Sequence, residues 1–286
     1  MPGTVTSGVA GAAGADLYYE RRGAGPPLLL ITGGGGDSGY YAAAATILAD
    51  RYTVITYDRR GNSRSTLHGA PADITMAGQS DDAIAVLAAN GFGSAAIFGN
   101  SGGATIALDL AAHHPQVTDV VVAHEPPVPH VLADPSDYLA QFEEIERVLA
   151  TEGWQEAFIR FQVNIGLAPS GRPEVLRLLL EPGAFLPSGP HRDMMTRVSG
   201  NWAYLMTHEV RPFIDYRPDL GRIVSNRVPI VVACGTRTRD QRAVEISVRT
   251  AELLGTECVR FSGGHTAPVD MPRAFAAELA ALLSRL

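Results

Sequence analysis

The chain has 286 residues, 46% apolar and 19% charged, with a mean hydropathy of +0.05, and reads as a soluble globular protein with one sizeable core. Its formal net charge of −7 provides no clustered positive surface, so neither nucleic acid nor an anionic membrane is expected as a partner. All 23 basic residues are arginine, which excludes chemistry that needs a Schiff-base lysine or a phosphate-loop lysine.

Residues 1–16 are rich in Gly, Ala, Thr and Ser and lack a basic start or an apolar core, so no signal peptide is expected. With no run long enough to span a bilayer, a cytoplasmic location is expected. In chain order, 27–32 reads as a strand, 40–49 as a helix, 52–57 as a strand, 75–89 as a helix, 94–99 as a strand, 104–113 as a helix and 117–123 as a strand. Short apolar strands alternating with amphipathic helices imply an α/β fold, a doubly wound and mostly parallel sheet buried on both faces. The alternation stops at Glu125-Pro126-Pro127. Helical patterns then follow over 138–152, 154–165, 174–180 and 194–208, broken by Pro and Gly. A strand over 228–234, a helix near 242–254, a strand over 257–261 and a closing helix over 272–283 complete the sheet. The late strands make the middle segment an insertion between strands. Residues 1–125 and 226–286 are therefore expected to form the core and 126–225 a helical cap. Cys234 and Cys258 lie in apolar strand-like runs without metal or redox spacing and read as buried thiols. No cofactor or metal is expected.

Gly99-Asn100-Ser101-Gly102-Gly103 matches G-x-S-x-G, with an apolar run before it and a helical run after it. A serine forced onto a tight strand-to-helix turn exposes its Oγ beyond the strand ends, which makes Ser101 the candidate nucleophile. A serine hydroxyl needs a base. His265, after two glycines just past the last strand, is the candidate; His113 and His114 close a helix, and His191 and His208 belong to the insertion. A tetrahedral intermediate needs preorganised donors for its oxyanion, for which Gly102 and, from the glycine run 33–36, Gly34 offer backbone N–H groups. That run lacks the G-x-G-x-x-G spacing of a dinucleotide site.

The glycine run after the first parallel strand, Asp58-Arg59-Arg60-Gly61-Asn62-Ser63-Arg64-Ser65 after the next, the serine motif and Gly263-Gly264-His265 together resemble the α/β-hydrolase superfamily over essentially the whole chain, cap included. The 58–65 segment and Ala123-His124-Glu125-Pro126-Pro127 are similar to a group of actinobacterial hydrolases of mostly unknown substrate. Family members usually carry an acid shortly after the glycine ending the strand that follows the cap, where this chain has Thr236, Arg237 and Thr238 after Gly235. Asp240 is one replacement, from a lengthened loop. Glu125 is the other, because some members, including a group of haloalkane dehalogenases, supply their acid from that strand end. Glu125 is preferred: Pro126 and Pro127 stiffen its backbone, whereas Asp240 lies among Arg237, Arg239 and Arg242 and reads as a solvated ion-pair partner.

The resemblance implies hydrolysis of a small-molecule ester, lactone or thioester through an acyl-serine, since alkyl-enzyme members carry aspartate where Ser101 stands. The G-N-S-x-G elbow is also similar to that of carbon–carbon bond hydrolases of ring-cleavage products, which usually carry Trp where this chain has Thr266. A third reading is a non-catalytic ligand-binding protein of the same fold. Aromatic residues of the insertion, Trp154, Phe158, Phe161, Trp202, Tyr204, Phe213 and Tyr216, pack its helices or line an apolar pocket. Oligomeric state is left open.

Overall fold

The computed structural model describes residues 4–168, 178, 180–181 and 186–286. The chain opens with an antiparallel hairpin, β1 (Thr6–Ala12) and β2 (Ala15–Arg22), in which Ala12 pairs with Ala15 and Gly14 takes φ 78° in the turn between them. The sequence pattern predicts no element before residue 27. β1 is Gly- and Ala-rich, with little of the β-branched character that marks a strand, and β2 carries Asp16, Glu20, Arg21 and Arg22 around its two tyrosines. Gly8 serves packing: a Cβ on it would lie 2.5 Å from the Tyr19 hydroxyl.

Next come β3 (Pro27–Ile31), α1 (Ala42–Leu48), β4 (Thr53–Tyr57), the short β5 (Thr66–Leu67), α2 (Met76–Ala89), β6 (Ala95–Asn100), α3 (Gly102–His113) and β7 (Thr118–His124). The insertion holds α4 (Ser136–Glu152), α5 (Trp154–Asn164), α6 (Pro190–Tyr204), a π-helical turn (Leu205–Glu209), α7 (Val210–Asp215) and α8 (Leu220–Asn226). The chain then returns through β8 (Ile230–Gly235), α9 (Gln241–Leu253), β9 (Val259–Phe261), α10 (Ala267–Asp270) and α11 (Pro272–Leu283). The expected helix over 194–208 starts earlier, at Pro190, and changes to the wider π turn at Leu205; the one over 174–180 falls, apart from Leu178 and Leu180, outside the described residues.

The sheet order is β1-β2-β4-β3-β6-β7-β8-β9, with β5 beside β2; pairing is parallel from β4 to β9 and antiparallel through β2. The consecutive apolar residues of β3 explain its central place. Leu28 and Leu30 pack into a cluster with α1 and α11, and Leu29 and Ile31 into a cluster with α2, α3, α9 and the insertion. A strand buried on both faces must read as an uninterrupted apolar run. Cys234 and Cys258 are free thiols with Sγ atoms 3.3 Å apart, on β8 and just before β9. Among the described residues no helix is long and apolar enough to cross a membrane.

Candidate functional site

At the end of β6 the chain turns into α3 through Ser101, whose φ of 55° and ψ of −127° are far from any region an L-residue prefers. The flanking glycines make the turn possible. A Cβ on Gly99 would come within 2.1 Å of Gly103 O, and one on Gly103 within 2.1 Å of Ile31 O. The Ser101 N–H donates to His124 O at 2.9 Å, which ties the elbow to β7. Gly102 is the first residue of α3, so its N–H points out of the helix without an intrahelical acceptor.

One residue beyond β7, Glu125 also has a positive φ, 50°, and donates its N–H to Ala233 O at 2.9 Å. Its Oε2 accepts from His265 Nδ1 at 2.6 Å. Its Oε1 accepts from the Gly235 N–H at 2.8 Å and from the Thr238 hydroxyl. Burial pushes this carboxyl up, but the hydrogen bond from His265, the charges of His265 and His124 and the Gly235 N–H outweigh it and bring it down to about 2. An ionised carboxylate only accepts hydrogen bonds, so the proton of this contact sits on His265 Nδ1. The loop after β9 reaches this position through Gly263, at φ 100°.

Asp240 is not the solvated ion-pair partner that its arginine neighbours suggested. It is half-buried and caps α9, its carboxylate accepting from the Arg242 N–H at 3.0 Å. Burial raises its pKa against the backbone hydrogen bonds that lower it, and its carboxylate makes no hydrogen bond to His265. The cap satisfies a helix terminus, and that requirement holds the side chain back from the histidine.

Gly33 and Gly34 cross directly beside the elbow. A Cβ on Gly33 would lie 2.7 Å from Ser101 Cβ and 3.2 Å from Gly102 N. Neither the Gly34 nor the Gly102 N–H is hydrogen-bonded to another described residue. Gly34, Ser101 and His265 all line two adjoining hollows. The smaller, about 60 Å³, is walled by Phe142, Phe213, Ile214 and Ile246, with Glu125 and Asp240 also at its surface. The larger, about 360 Å³, lies under Phe158, Trp202 and Met195 and has Gln162, His191 and Asp270 among its polar residues. Phe161 and Leu205 belong to both. Of the insertion's aromatics, Phe158 and Trp202 stack at 4.5 Å between ring centroids as part of the larger wall, whereas Trp154, Tyr204 and Tyr216 line neither hollow.

The sequence names His124, Asn100 and Thr238 within motifs but does not reveal their hydrogen-bonding roles. His124 Nδ1 is 2.6 Å from Asn100 Oδ1, linking the residue before Ser101 to the residue before Glu125. It is fully buried, and burial lowers its pKa to about 4, despite Glu125 Oε1 at 3.9 Å from its Nε2. Its place immediately before a proline-flanked acid was the available signal. Thr238 offered none, because its hydroxyl meets Glu125 across 113 residues of sequence.

The α/β-hydrolase fold family model matches residues 26–153. The uncharacterized hydrolase YraK of Bacillus subtilis is 31% identical over 287 residues, covering 99% of this chain and 97% of that protein. Among solved structures, the enol-lactonase from Burkholderia xenovorans is 18% identical with a TM-score of 0.68, over 97% of this chain and all of that one. A thermophilic esterase from Thermogutta terrifontis is also 18% identical, with a TM-score of 0.70 over 98% of each chain. These likenesses agree with the mostly parallel sheet and its helices, and the chain belongs to the α/β-hydrolase fold family.

Proposed function

We propose that the protein is a serine hydrolase that cleaves an ester, lactone or thioester through an acyl-serine, with the helical insertion as a cap over the site. The observation that carries this reading is the 2.6 Å contact between His265 Nδ1 and Glu125 Oε2, beside a cavity that His265 shares with Ser101. Ser101 Oγ attacks the acyl carbon while its proton passes to His265 Nε2, and the resulting imidazolium is stabilised by Glu125. The Gly34 and Gly102 N–H groups donate to the developing oxyanion, a contribution of roughly 10²–10³-fold per donor. His265 then protonates the leaving oxygen or sulfur, and the acyl-serine remains. Water, deprotonated by the same imidazole, attacks the acyl carbon, and the imidazolium returns that proton to Ser101 Oγ as the bond to Oγ breaks and the acid leaves. The apolar walls on both sides of Ser101 suit a substrate with apolar groups on both sides of the scissile bond.

Labelling with a fluorophosphonate followed by peptide mapping tests the reading. One label per chain on Ser101, together with turnover of p-nitrophenyl esters of graded chain length, is expected. A label on another serine would remove the proposed nucleophile. Turnover of a ring-cleavage diketone in place of every ester would move the reaction to carbon–carbon bond hydrolysis. Binding without labelling or turnover would leave a ligand-binding protein.

A further inference from the structure

Arg59 lies in the 58–65 segment that follows β4, to which the chemistry proposed above gives no part. Its guanidinium is fully buried and pairs in two places with the equally buried carboxylate of Glu209, Nη1 to Oε1 at 2.8 Å and Nη2 to Oε2 at 2.7 Å. Nη1 also donates to Gln79 Oε1 at 3.1 Å, and the cation lies 5.3 Å from the centroid of the Phe213 ring. Taking both charges out of water costs much of what their attraction returns, so stability alone is a poor reason for the pair. The remaining contact is more informative: Nη2 donates to Gly33 O at 2.9 Å.

Gly33 C=O and Gly34 N–H belong to one peptide unit. In a planar trans peptide the two bonds point in opposite directions, so a donor fixed on the carbonyl aims the N–H away from itself. A cationic donor on the carbonyl also polarises the unit and makes its N–H a stronger donor. Glu209 in turn ends the π turn, and Leu205, which begins it, packs against Gly34: a Cβ there would meet the Leu205 δ-carbons at 3.3 and 3.4 Å. Widened π turns place side chains that a regular α-turn would rotate away. A second link holds the next carbonyl but one, Asn201 Nδ2 donating to Gly35 O at 2.6 Å.

We infer that Arg59, held by Glu209 of the insertion, is a positioning residue that orients and polarises the peptide between Gly33 and Gly34, so that the seat of the insertion on the core sets turnover. The inference rests on the reading of Gly34 N–H as an oxyanion donor.

The test compares Arg59→Met with Glu209→Met as a double variant, which removes both charges while keeping apolar volume, with Asn226→Ala, which removes the hydrogen bonds to Ala111 O and Ala112 O at the end of α3 away from the elbow. Phosphonate end-point labelling counts the competent sites, and kcat is expressed per labelled site. The double variant is expected to keep one label per chain and a KM within about threefold, while kcat and the labelling rate constant fall by about 10²-fold. Asn226→Ala should lower the melting temperature with kcat per site nearly unchanged. An unchanged kcat in the double variant, or losses in both variants that follow their melting temperatures, would overturn the inference. Should the double variant fail to fold, Glu209→Gln decides: about a tenfold loss in kcat at constant KM supports the positioning role, and no loss overturns it. Full activity in Ser101→Ala, run alongside, would instead overturn the hydrolase mechanism.

Discussion

Ser101 and Glu125 leave adjacent parallel strands in the same register, after the paired residues Asn100 and His124, and both turn at once into positive φ, 55° and 50°. Two non-glycine residues in such conformations, side by side at the strand ends, are held there by hydrogen bonds from their own N–H groups to the neighbouring strands. The strain is local and its relief measurable.

The first prediction uses that strain. Conformations like that of Ser101 cost about 1–3 kcal/mol, and glycine adopts them without penalty at an entropic cost of about 0.5–1 kcal/mol. Ser101→Gly should therefore raise the melting temperature by about 2–4 °C, while Ser101→Ala should not, and both should lose about 10³-fold or more in kcat. Calorimetry and ester turnover check both halves. Equal melting temperatures in the two variants would mean that the elbow is unstrained.

A second prediction separates the two acids. Glu125→Gln can keep an oxygen for Gly235 and Thr238, but then presents an N–H to the Nδ1–H of His265, and the imidazole must change tautomer or turn away. A loss of about 10³–10⁴-fold in kcat is expected, as for other triad acids. Asp240→Asn keeps an acceptor for the Arg242 N–H and should cost less than about tenfold. The reverse ranking in steady-state kinetics would reassign the acid to Asp240.

How much of this was legible beforehand follows from how local each feature is. The elbow reads from sequence because it is one contiguous turn between an apolar run and a helical run, with Gly99 required by Gly103 four residues on. The parallel core reads from runs such as Leu28 to Ile31, buried on both faces. Glu125 and Asp240 could be ranked but not decided, because their distance to His265 depends on loop paths that no local pattern encodes. Arg59 and Glu209 are 150 residues apart, and nothing near either one announces the other. The hairpin before residue 27 was missed for a different reason: β1 is built mostly of small residues against strand propensity, with Gly8 required where Tyr19 packs over it, and half of β2 is charged.

A third prediction contrasts neighbouring glycines. Gly33→Ala places a Cβ 2.7 Å from Ser101 Cβ and 2.8 Å from Asn100 O, so the elbow itself must shift. A cost of about 1–3 kcal/mol in stability and at least about 10²-fold in kcat is expected. Gly34→Ala meets only the mobile ends of Leu205, at a position outside the left-handed glycines, and should keep kcat within about tenfold. If the two variants behave alike, the close approach of the loop to the elbow has no catalytic consequence.

The last prediction concerns pH and stability. His124 has its pKa lowered by burial from 6.5 to about 4, and Glu125, despite burial, has its pKa brought from 4.5 to about 2 by His265 and its other donors. In both cases the unfolded chain binds the proton more readily, so stability rises with pH between the two values of each group. The His124 contribution is complete above pH 6.5 and is lost as the pH falls towards 4; that of Glu125 is complete above pH 4.5 and is lost towards 2. Each shift corresponds to roughly 3 kcal/mol at most. Other carboxylates also titrate at low pH, so the slope between pH 6.5 and 4 must be compared with that of a variant lacking the imidazole. His124→Asn retains an N–H for Asn100 Oδ1 and removes the titrating group. It should be less stable at neutral pH, since it leaves space between Phe98 and Phe261, yet show a flatter loss of unfolding free energy over that window. Denaturant unfolding at several pH values measures the slope, and an identical slope in wild type and variant would mean that His124 is charged in the folded protein, with its Nε2–H directed at Glu125.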